Sequence, residues 1–317
     1  MSKLVSGKTT LLSPMTPMVL LVRAAARLGR ARPALGFIVN NGMMPPDSKV
    51  FRGYTPTQSD VFVTTFPKSG TNWGMQICQQ IAHRGAAEFD HIHEVVCWPE
   101  APMPEVVKFN DPGPASASPT GLRVIKTHLR AAIVPYAAEA KYFTIIRDPK
   151  EVVVSSYLFL LGLMGIQHRV TPSQWVDWWC DPSFLGGAWA EHTKGFWAMR
   201  DRPNVVVRSF NQVKADLGGT IDAVAELMGV ELSASERAAV AERGSFAYMK
   251  QHESQFAPPP VPLAKPDQAP NMIRRGAAGG SDELIDAAQR ARINAFSRAR
   301  LREIGSDFPY DELFAAN

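Results

Sequence analysis

A β-branched and aromatic run that passes directly into a small polar loop occupies residues 61–73 and constrains the fold more than any other stretch. Residues 61–66 have the composition of a buried strand, and residues 73–81 have that of a helix. Pro67 cannot continue a central strand, so the strand is predicted to end before it. A strand, a glycine-containing loop and a helix N-terminus together favour a bound anion, because loop N–H groups and the helix dipole are electropositive. Lys68 adds a full positive charge.

Strands and helices alternate along the rest of the chain. Further strands are predicted over residues 122–128, 141–146 and 204–208, and further helices over residues 151–163, 214–230, 233–242 and 282–304. This alternation is typical of a three-layer α/β domain in which helices flank a central parallel sheet. Ligands of such sheets bind beyond the carboxyl ends of the strands. Lys68, His128 and Arg147 each follow a predicted strand, so we expect them to converge on one edge of the sheet.

The composition limits the partners and the cellular location. A chain of 317 residues with a net charge of +4 suits a single α/β enzyme that binds a polyanionic nucleotide. Lys and Arg form no block, which argues against a nucleic-acid partner. Cys78, Cys97 and Cys180 are scattered, which favours a reducing, cytoplasmic location. His91 and His93 resemble metal ligands, but no ligand cluster accompanies them, and we predict a substrate-lining or surface loop without a metal.

Residues 1–50 form a leader that precedes the main domain, which is predicted over residues 51–317. Arginines interrupt the apolar residues over 11–32, and two hypotheses follow. The segment is either a basic amphipathic helix in peripheral contact with a membrane or a helix packed on the body of the enzyme. Pro14 and Pro17 lie inside the apolar stretch and no small-residue cleavage site follows, which argues against a secretory signal.

The loop at residues 65–73, Thr-Phe-Pro-Lys-Ser-Gly-Thr-Asn-Trp, lacks the Gly-x-x-x-x-Gly-Lys pattern of a Walker A loop. It closely resembles the 5′-phosphosulfate loop of the cytosolic-type sulfotransferases. These enzymes have a P-loop-NTPase-like fold and use 3′-phosphoadenosine 5′-phosphosulfate (PAPS) as sulfuryl donor, releasing 3′,5′-ADP (PAP). The resemblance implies that the donor is bound by Lys68, Ser69, Gly70, Thr71, Asn72 and Trp73. Within this set Lys68 is expected to stabilise the leaving phosphate, and Trp73 to stack on the adenine.

Two later segments resemble other motifs of the same family. Lys-Thr-His-Leu at residues 126–129 resembles the segment that carries the catalytic histidine. The resemblance implies that His128 is the general base and that Lys126 contacts the transferring group. Arg-x-Pro-Lys-x-x-x-x-Ser, from Arg147 to Ser155, resembles the segment that binds the 3′-phosphate. Arginine suits this role because its planar fork donates two parallel hydrogen bonds to phosphate.

A third segment, Arg-Arg-Gly-x-x-Gly, resembles the C-terminal family segment Arg-Lys-Gly-x-x-Gly-Asp-Trp that closes over the 3′-phosphate. It implies that Arg274, Arg275 and Gly276 also bind the donor, although Gly280 and Ser281 stand where Asp-Trp is usual. Two aromatic residues are implied at the adenine. Phe246 resembles the phenylalanine that flanks the base, and Phe210 replaces a usual tyrosine, so Phe210 either borders the nucleotide or packs in the core.

The resemblance covers roughly residues 50–305 and implies a PAPS-dependent sulfotransferase acting on a phenol, alcohol or lipid-like hydroxyl. The acceptor pocket is expected near Trp98 and residues 158–166, 175–179 and 256–270, which are rich in apolar and aromatic side chains. One alternative is a P-loop-like kinase that uses ATP, but its phosphate loop is missing. Another is a non-catalytic nucleotide-binding, membrane-associated protein, which would not need both His128 and Lys68.

Overall fold

The structure is a computed structural model that describes residues 15–101, 106–258, 272–273 and 280–314. Its centre is a sheet of four parallel strands within these residues. The strands are β1 (Asp60–Thr64), β2 (Arg123–Thr127), β3 (Lys141–Ile146) and β4 (Val205–Ser209), in the spatial order β2-β1-β3-β4. All five residues of β1 are buried, as expected for a central parallel strand covered on both faces. The predicted central parallel sheet is therefore confirmed.

Helices cover the sheet and connect its strands. They are α1 (Met15–Arg27), α2 (Ala31–Ile38), α3 (Thr71–Ala82), α4 (Gly113–Ala117), α5 (Pro149–Ser156), α6 (Gly162–Met164), α7 (Pro172–Trp179), α8 (Leu185–Trp197), α9 (Phe210–Ala215), α10 (Leu217–Met228), α11 (Ala234–Arg243), α12 (Phe246–Gln251), α13 (Ala287–Glu303) and α14 (Tyr310–Phe314). Single π turns at Val39–Met43 and Tyr157–Leu161 continue α2 and α5. Short 3₁₀ turns lie at Ile92–Glu94, Gln167–Arg169, Glu253–Phe256 and Gly280–Glu283.

Helix caps explain which predicted helix boundaries are correct and which are wrong. The helix predicted over 233–242 is confirmed as α11, whose capping box pairs the side chains of Ser233 and Glu236 with each other's backbone N–H groups. The helix predicted over 214–230 is instead two helices, because Asp216 leaves the helical conformation and caps α10. The last long helix starts at Ala287 rather than residue 282, because Asp286 caps it.

The leader packs on the body of the enzyme through one face. Val19 and Val22 of α1 and Leu35 of α2 are buried in the same apolar core as residues of α5, α7 and α8. Two arginines add polar contacts: Arg23 donates to the Met164 carbonyl over 2.9 Å, and Arg32 forms an ion pair with Asp181 on the body. Among the described helices, none combines the length and apolar character needed to cross a membrane.

Candidate active site

A cavity of about 320 Å³ lies at the carboxyl ends of β1, β2 and β3. The predicted site residues that line it are Lys68, Gly70, Thr71, Asn72, Trp73, Lys126, His128, Arg147, Ser155, Phe210 and Phe246. The expected convergence of Lys68, His128 and Arg147 is thus confirmed. Ser69 is fully buried, and its Oγ has no hydrogen-bond partner among the described residues. Arg274, Arg275 and Gly276 lie outside the described residues.

The loop after β1 leaves the N-terminus of α3 open to a ligand. Gly70, the residue before α3, has φ 97° and offers no capping side chain, so the first-turn N–H groups of α3 have no acceptor within the helix. The positive φ favours glycine here, and a Cβ would lie only 3.1 Å from the Phe210 ring. Lys68 also has a positive φ of 67°, an uncommon conformation for a non-glycine residue.

Three cationic side chains border the cavity, and each lies over an aromatic ring. Lys68 Nζ is 3.9 Å from the ring centroid of Phe159, and Lys126 Nζ is 3.3 Å from a ring centroid of Trp98. The Arg147 guanidinium carbon is 4.5 Å from the centroid of Phe210. No Asp or Glu is among the described residues that line the cavity. The cavity is therefore suited to a polyanion.

The register of β1 and β2 fixes the orientation of the His128 ring. Thr64 pairs with Thr127, so the residues that follow them, Thr65 and His128, lie side by side. His128 Nδ1 is 2.7 Å from the Thr65 carbonyl oxygen, which can only accept a hydrogen bond. The proton is therefore on Nδ1, and Nε2 carries the lone pair. Burial, followed by the charge of Lys126, lowers the pKa of His128 well below its ordinary value of 6.5, so the ring is neutral near pH 7.

Glu100 is a buried carboxylate behind His128 that the sequence analysis did not identify. Its Oε1 accepts hydrogen bonds from the His128 N–H (2.7 Å) and the Thr127 hydroxyl (3.0 Å). The contact depends on the segment around Cys97, which runs alongside β2 and accepts a 2.8 Å hydrogen bond from the Lys126 N–H. No local pattern could have revealed Glu100, because this pairing joins residues that are distant in the sequence.

Lys126 and Glu100 influence each other's charge. The pKa of Lys126 is lowered to about 7: burial is the largest cause, the carboxylate of Glu100 opposes it, and the positive charge of Lys68 adds to it. Burial also raises the pKa of Glu100, while hydrogen bonds from the His128 and Glu100 backbone N–H groups oppose that rise. Lys126 is consequently poised to change its charge near neutral pH.

Arg147 joins the end of β3 to the loop after β1. Its Nη1 donates to the Lys68 carbonyl over 3.0 Å, and its Nε forms a 2.8 Å ion pair with Glu151 in α5. These contacts fix the guanidinium over Phe210. Ser155, about two helical turns further along α5, also lines the cavity.

Trp73, Phe210 and Phe246 are aromatic residues that line the cavity. The Trp73 and Phe210 rings meet edge to face at 5.3 Å, and the Trp73 indole N–H donates to the Gly244 carbonyl. Phe246 is 41% exposed, so its ring is available at the cavity surface. Phe210 is 9% exposed and both packs in the core and lines the cavity, while its contact with the nucleotide stays a prediction.

The cavity has further apolar lining residues, which differ in part from the expectation. Trp98 and side chains of 159–164 line it as predicted, but the prediction for 175–179 was wrong. Trp175 and Trp179 are 1% and 0% exposed and pack in the core, where the Trp175 indole N–H donates to the Val153 carbonyl. The sequence analysis missed the leader residues Met18, Ile38, Gly42 and Met43, which also line the cavity.

His91 caps a turn and donates from Nε2 to the Ala257 carbonyl over 3.0 Å, whereas His93 lines the cavity, so the predicted lining loop holds for His93. His91 Nδ1 accepts a hydrogen bond from the His93 backbone N–H and, with Glu94, forms a capping box for the Ile92–Glu94 turn. Among the described residues, no group of three or more His, Cys, Asp or Glu side chains is arranged to hold a metal ion.

Comparison with known proteins connects this site to a family. A family model described as "Sulfotransferase domain" matches residues 58–305. Sulfotransferase 2A1 of Homo sapiens is 27% identical over 89% of this chain and 97% of its own length. The 3-alpha-hydroxysteroid sulfotransferase of Cavia porcellus is 29% identical over 73% of this chain and 79% of its own length.

Solved structures share the fold. Retinol dehydratase in complex with androsterone and inactive cofactor PAP has a TM-score of 0.66 at 19% identity, covering 84% of this chain and 86% of that chain. A mouse sulfotransferase complexed with PAP has a TM-score of 0.56 at 18% identity, covering 78% of this chain and 86% of that chain. The predicted α/β sulfotransferase fold is therefore confirmed. Since the family model spans most of the chain, this protein belongs to the sulfotransferase family of enzymes.

Proposed function

We propose that this enzyme transfers the sulfuryl group of PAPS to the hydroxyl of an apolar small molecule. The observation that carries the proposal is the composition of the cavity. The cavity brings a neutral, buried His128 and the cations Lys68, Lys126 and Arg147 together with a largely apolar lining. A polyanionic donor and an apolar acceptor can thus meet at the imidazole. A metal is not needed for these roles, and its absence stays a prediction.

The residues around Lys68 and Arg147 suit PAPS as the donor. The open N-terminus of α3, the glycine that approaches Phe210, and the acid-free lining suit a bis-phosphorylated nucleotide. Thr71, Asn72 and the loop N–H groups would hold the 5′-phosphate, and Arg147 and Ser155 would hold the 3′-phosphate. Trp73 and Phe246 would flank the adenine, with Phe210 beside them. PAPS, when bound, supplies the sulfuryl group and a phosphate leaving group.

The chain's own groups then supply proton transfer and charge stabilisation. His128 Nε2 accepts the proton of the acceptor hydroxyl, because Nδ1 is committed to the Thr65 carbonyl. Lys68 stabilises the negative charge that develops on the leaving oxygen, and protonated Lys126 stabilises the transferring group. Arg274, Arg275 and Gly276 stay predicted donor-binding residues. We also retain the prediction of a cytoplasmic location, supported by three cysteines that form no disulfide.

The acceptor is proposed to be an alcohol or phenol of sterol-like or retinoid-like apolarity. Phe159, Leu160, Leu163 and Met164, together with the leader residues, form an apolar wall with few polar groups to select a hydrophilic substrate. The names of the relatives agree with this class, since one is a hydroxysteroid sulfotransferase and a structural neighbour binds androsterone. Turnover of PAPS against a panel of sterols, retinoids, phenols and sugars tests it; activity confined to sugars would contradict the proposal.

A thermal-shift comparison separates this function from the kinase alternative. We expect 3′,5′-ADP to raise the melting temperature, because two separate phosphate sites stabilise the folded state by mass action. ATP with Mg²⁺ is expected to have a smaller effect. Stabilisation by ATP with Mg²⁺ alone would favour a kinase instead.

Glu100→Gln is expected to shift the pH dependence of turnover. The amide can still accept hydrogen bonds from His128 and Thr127, but it removes the negative charge that raises the pKa of Lys126. The pKa of Lys126 should therefore fall below about 7, and the alkaline limit of kcat should move to lower pH. At a fixed pH well above the original pKa of about 7, a pKa that is lower by about one reduces the protonated fraction of Lys126 about tenfold. Glu94→Gln, in the same segment, is the control; an identical profile for both variants would contradict the role of Glu100.

Met18→Ala combined with Met43→Ala is expected to raise the KM for an apolar acceptor about tenfold, because both side chains line the apolar side of the cavity. The KM for PAPS should stay unchanged. Met199→Ala removes a half-buried methionine outside the cavity and is the matched control. An effect on PAPS rather than on the acceptor would place the leader at the donor side.

A further inference from the structure

The outer face of the leader concentrates the exposed apolar side chains of the protein. Six large hydrophobic side chains are exposed in the described part of the chain, and four of them belong to the leader: Leu20 (50%), Leu21 (55%), Leu28 (77%) and Phe37 (62%). Residues 20, 21, 24 and 28 are spaced as one face of a helix, and all are exposed. The opposite face of α1, with Val19 and Val22, is buried. Helix α1 therefore has apolar side chains on two faces, one buried in the core and one exposed.

All charged side chains of the leader before Asp47 are cationic. The charged residues that precede Asp47 are Lys3, Lys8, Arg23, Arg27, Arg30 and Arg32, with no Asp or Glu among them. Since the whole chain has a net charge of +4, the remainder is slightly acidic. Arg27 and Arg30 are exposed next to Leu28. Arg23 and Arg32 have a different task, because they bond to the body at Met164 and Asp181.

The inner side of the same segment reaches the cavity. Met18 in α1, Ile38 in α2 and Met43 in the following π turn all line it. Met18 is close in sequence to the exposed Leu20 and Leu21. The leader helices therefore line the cavity on their inner side and present an exposed, apolar and cationic surface on their outer side.

We propose that the outer face of α1 and α2 docks the enzyme on an anionic lipid bilayer. Leucine and phenylalanine side chains would enter the interfacial region, and Arg27 and Arg30 would attract the anionic headgroups. Charge complementarity favours a lipid surface, because residues 15–46 supply cations to this face but no carboxylate of their own. The proposal that the cavity then receives its apolar acceptor from the membrane rests on the proposed function; the docking itself does not.

Vesicle sedimentation of the full chain tests the docking without donor or acceptor. The protein should sediment with vesicles of phosphatidylcholine mixed with phosphatidylserine and weakly or not at all with phosphatidylcholine alone. Salt should weaken the binding. Arg27→Gln with Arg30→Gln should reduce partitioning roughly 30-fold, and Leu21→Gln with Leu28→Gln should reduce it at least about tenfold. Lys108→Gln with Lys214→Gln removes the same charge from exposed sites elsewhere and should have no effect.

Two sedimentation results would overturn the docking: no binding to either vesicle, or equal binding to both. The third such outcome is that the protein self-associates in ultracentrifugation, the leucine variants abolish this self-association, and vesicles do not bind the protein. Thermal melting of every variant checks that the fold is retained. Sulfation of a water-soluble phenol should be the same in the wild type and all surface variants. If no acceptor is sulfated, the proposed function fails while the sedimentation result still decides the docking.

Discussion

His128→Ala should reduce kcat by about 10²- to 10⁴-fold while 3′,5′-ADP binds as before. The Nδ1–H of the buried imidazole donates to the Thr65 carbonyl over 2.7 Å. The lone pair is therefore on Nε2, which is the proton acceptor. Its low pKa keeps it neutral, and therefore able to accept a proton, throughout the neutral range. Alanine removes the acceptor without removing any of the cationic groups that would hold the nucleotide.

Two measurements on this variant separate catalysis from folding. Calorimetric titration with 3′,5′-ADP should give the wild-type Kd, and the acceptor panel should show the loss of turnover for every substrate. His168→Ala removes an exposed histidine and controls for a general effect of the substitution. Turnover close to that of the wild type in His128→Ala would show that another group takes the proton.

Arg147→Ala should weaken 3′,5′-ADP binding by about 10- to 100-fold, corresponding to the roughly 1.5–3 kcal/mol of a hydrogen bond to a charged group. The guanidinium is held by Glu151, by the Lys68 carbonyl and by the Phe210 ring, so little further entropy is lost when it binds a phosphate. Alanine also removes the positive charge that Arg147 places beside Glu151, so the surroundings of the bound polyanion become less electropositive. Arg147→Lys should recover only part of the affinity, because lysine has no planar fork.

A matched control exists at the other end of the sheet. Arg123 forms a 2.7 Å ion pair with the buried Asp60 at the start of β1 and β2, away from the cavity. Arg123→Ala should therefore lower the melting temperature while the Kd for 3′,5′-ADP stays unchanged. Adding Glu151→Gln to Arg147→Ala should restore part of the lost affinity. An unchanged Kd in Arg147→Ala would remove this residue from the proposed 3′-phosphate site.

The helix boundaries show how far local signals reach. The capping box of Ser233 and Glu236 is complete within four residues, and α11 begins where that pattern predicts. Asp216 ends one helix and caps the next by adopting a non-helical backbone conformation, and apolar periodicity does not predict this break.

Trp175 and Trp179 illustrate a similar limit, since an aromatic cluster can line a pocket or fill a core. Composition alone does not distinguish the two.

The sequence by itself determined the strand, loop and helix around Lys68, because strand propensity and the backbone effects of proline and glycine act within a few residues. It also placed His128 and Arg147 at strand ends, from which a parallel sheet brings them to one edge. Only the tertiary structure decided which other groups meet them. Glu100 reaches His128 through strand-like pairing, and the leader reaches the cavity by burying one face of α1 and α2. Such contacts depend on how distant segments share buried surface, and no short stretch of sequence specifies that.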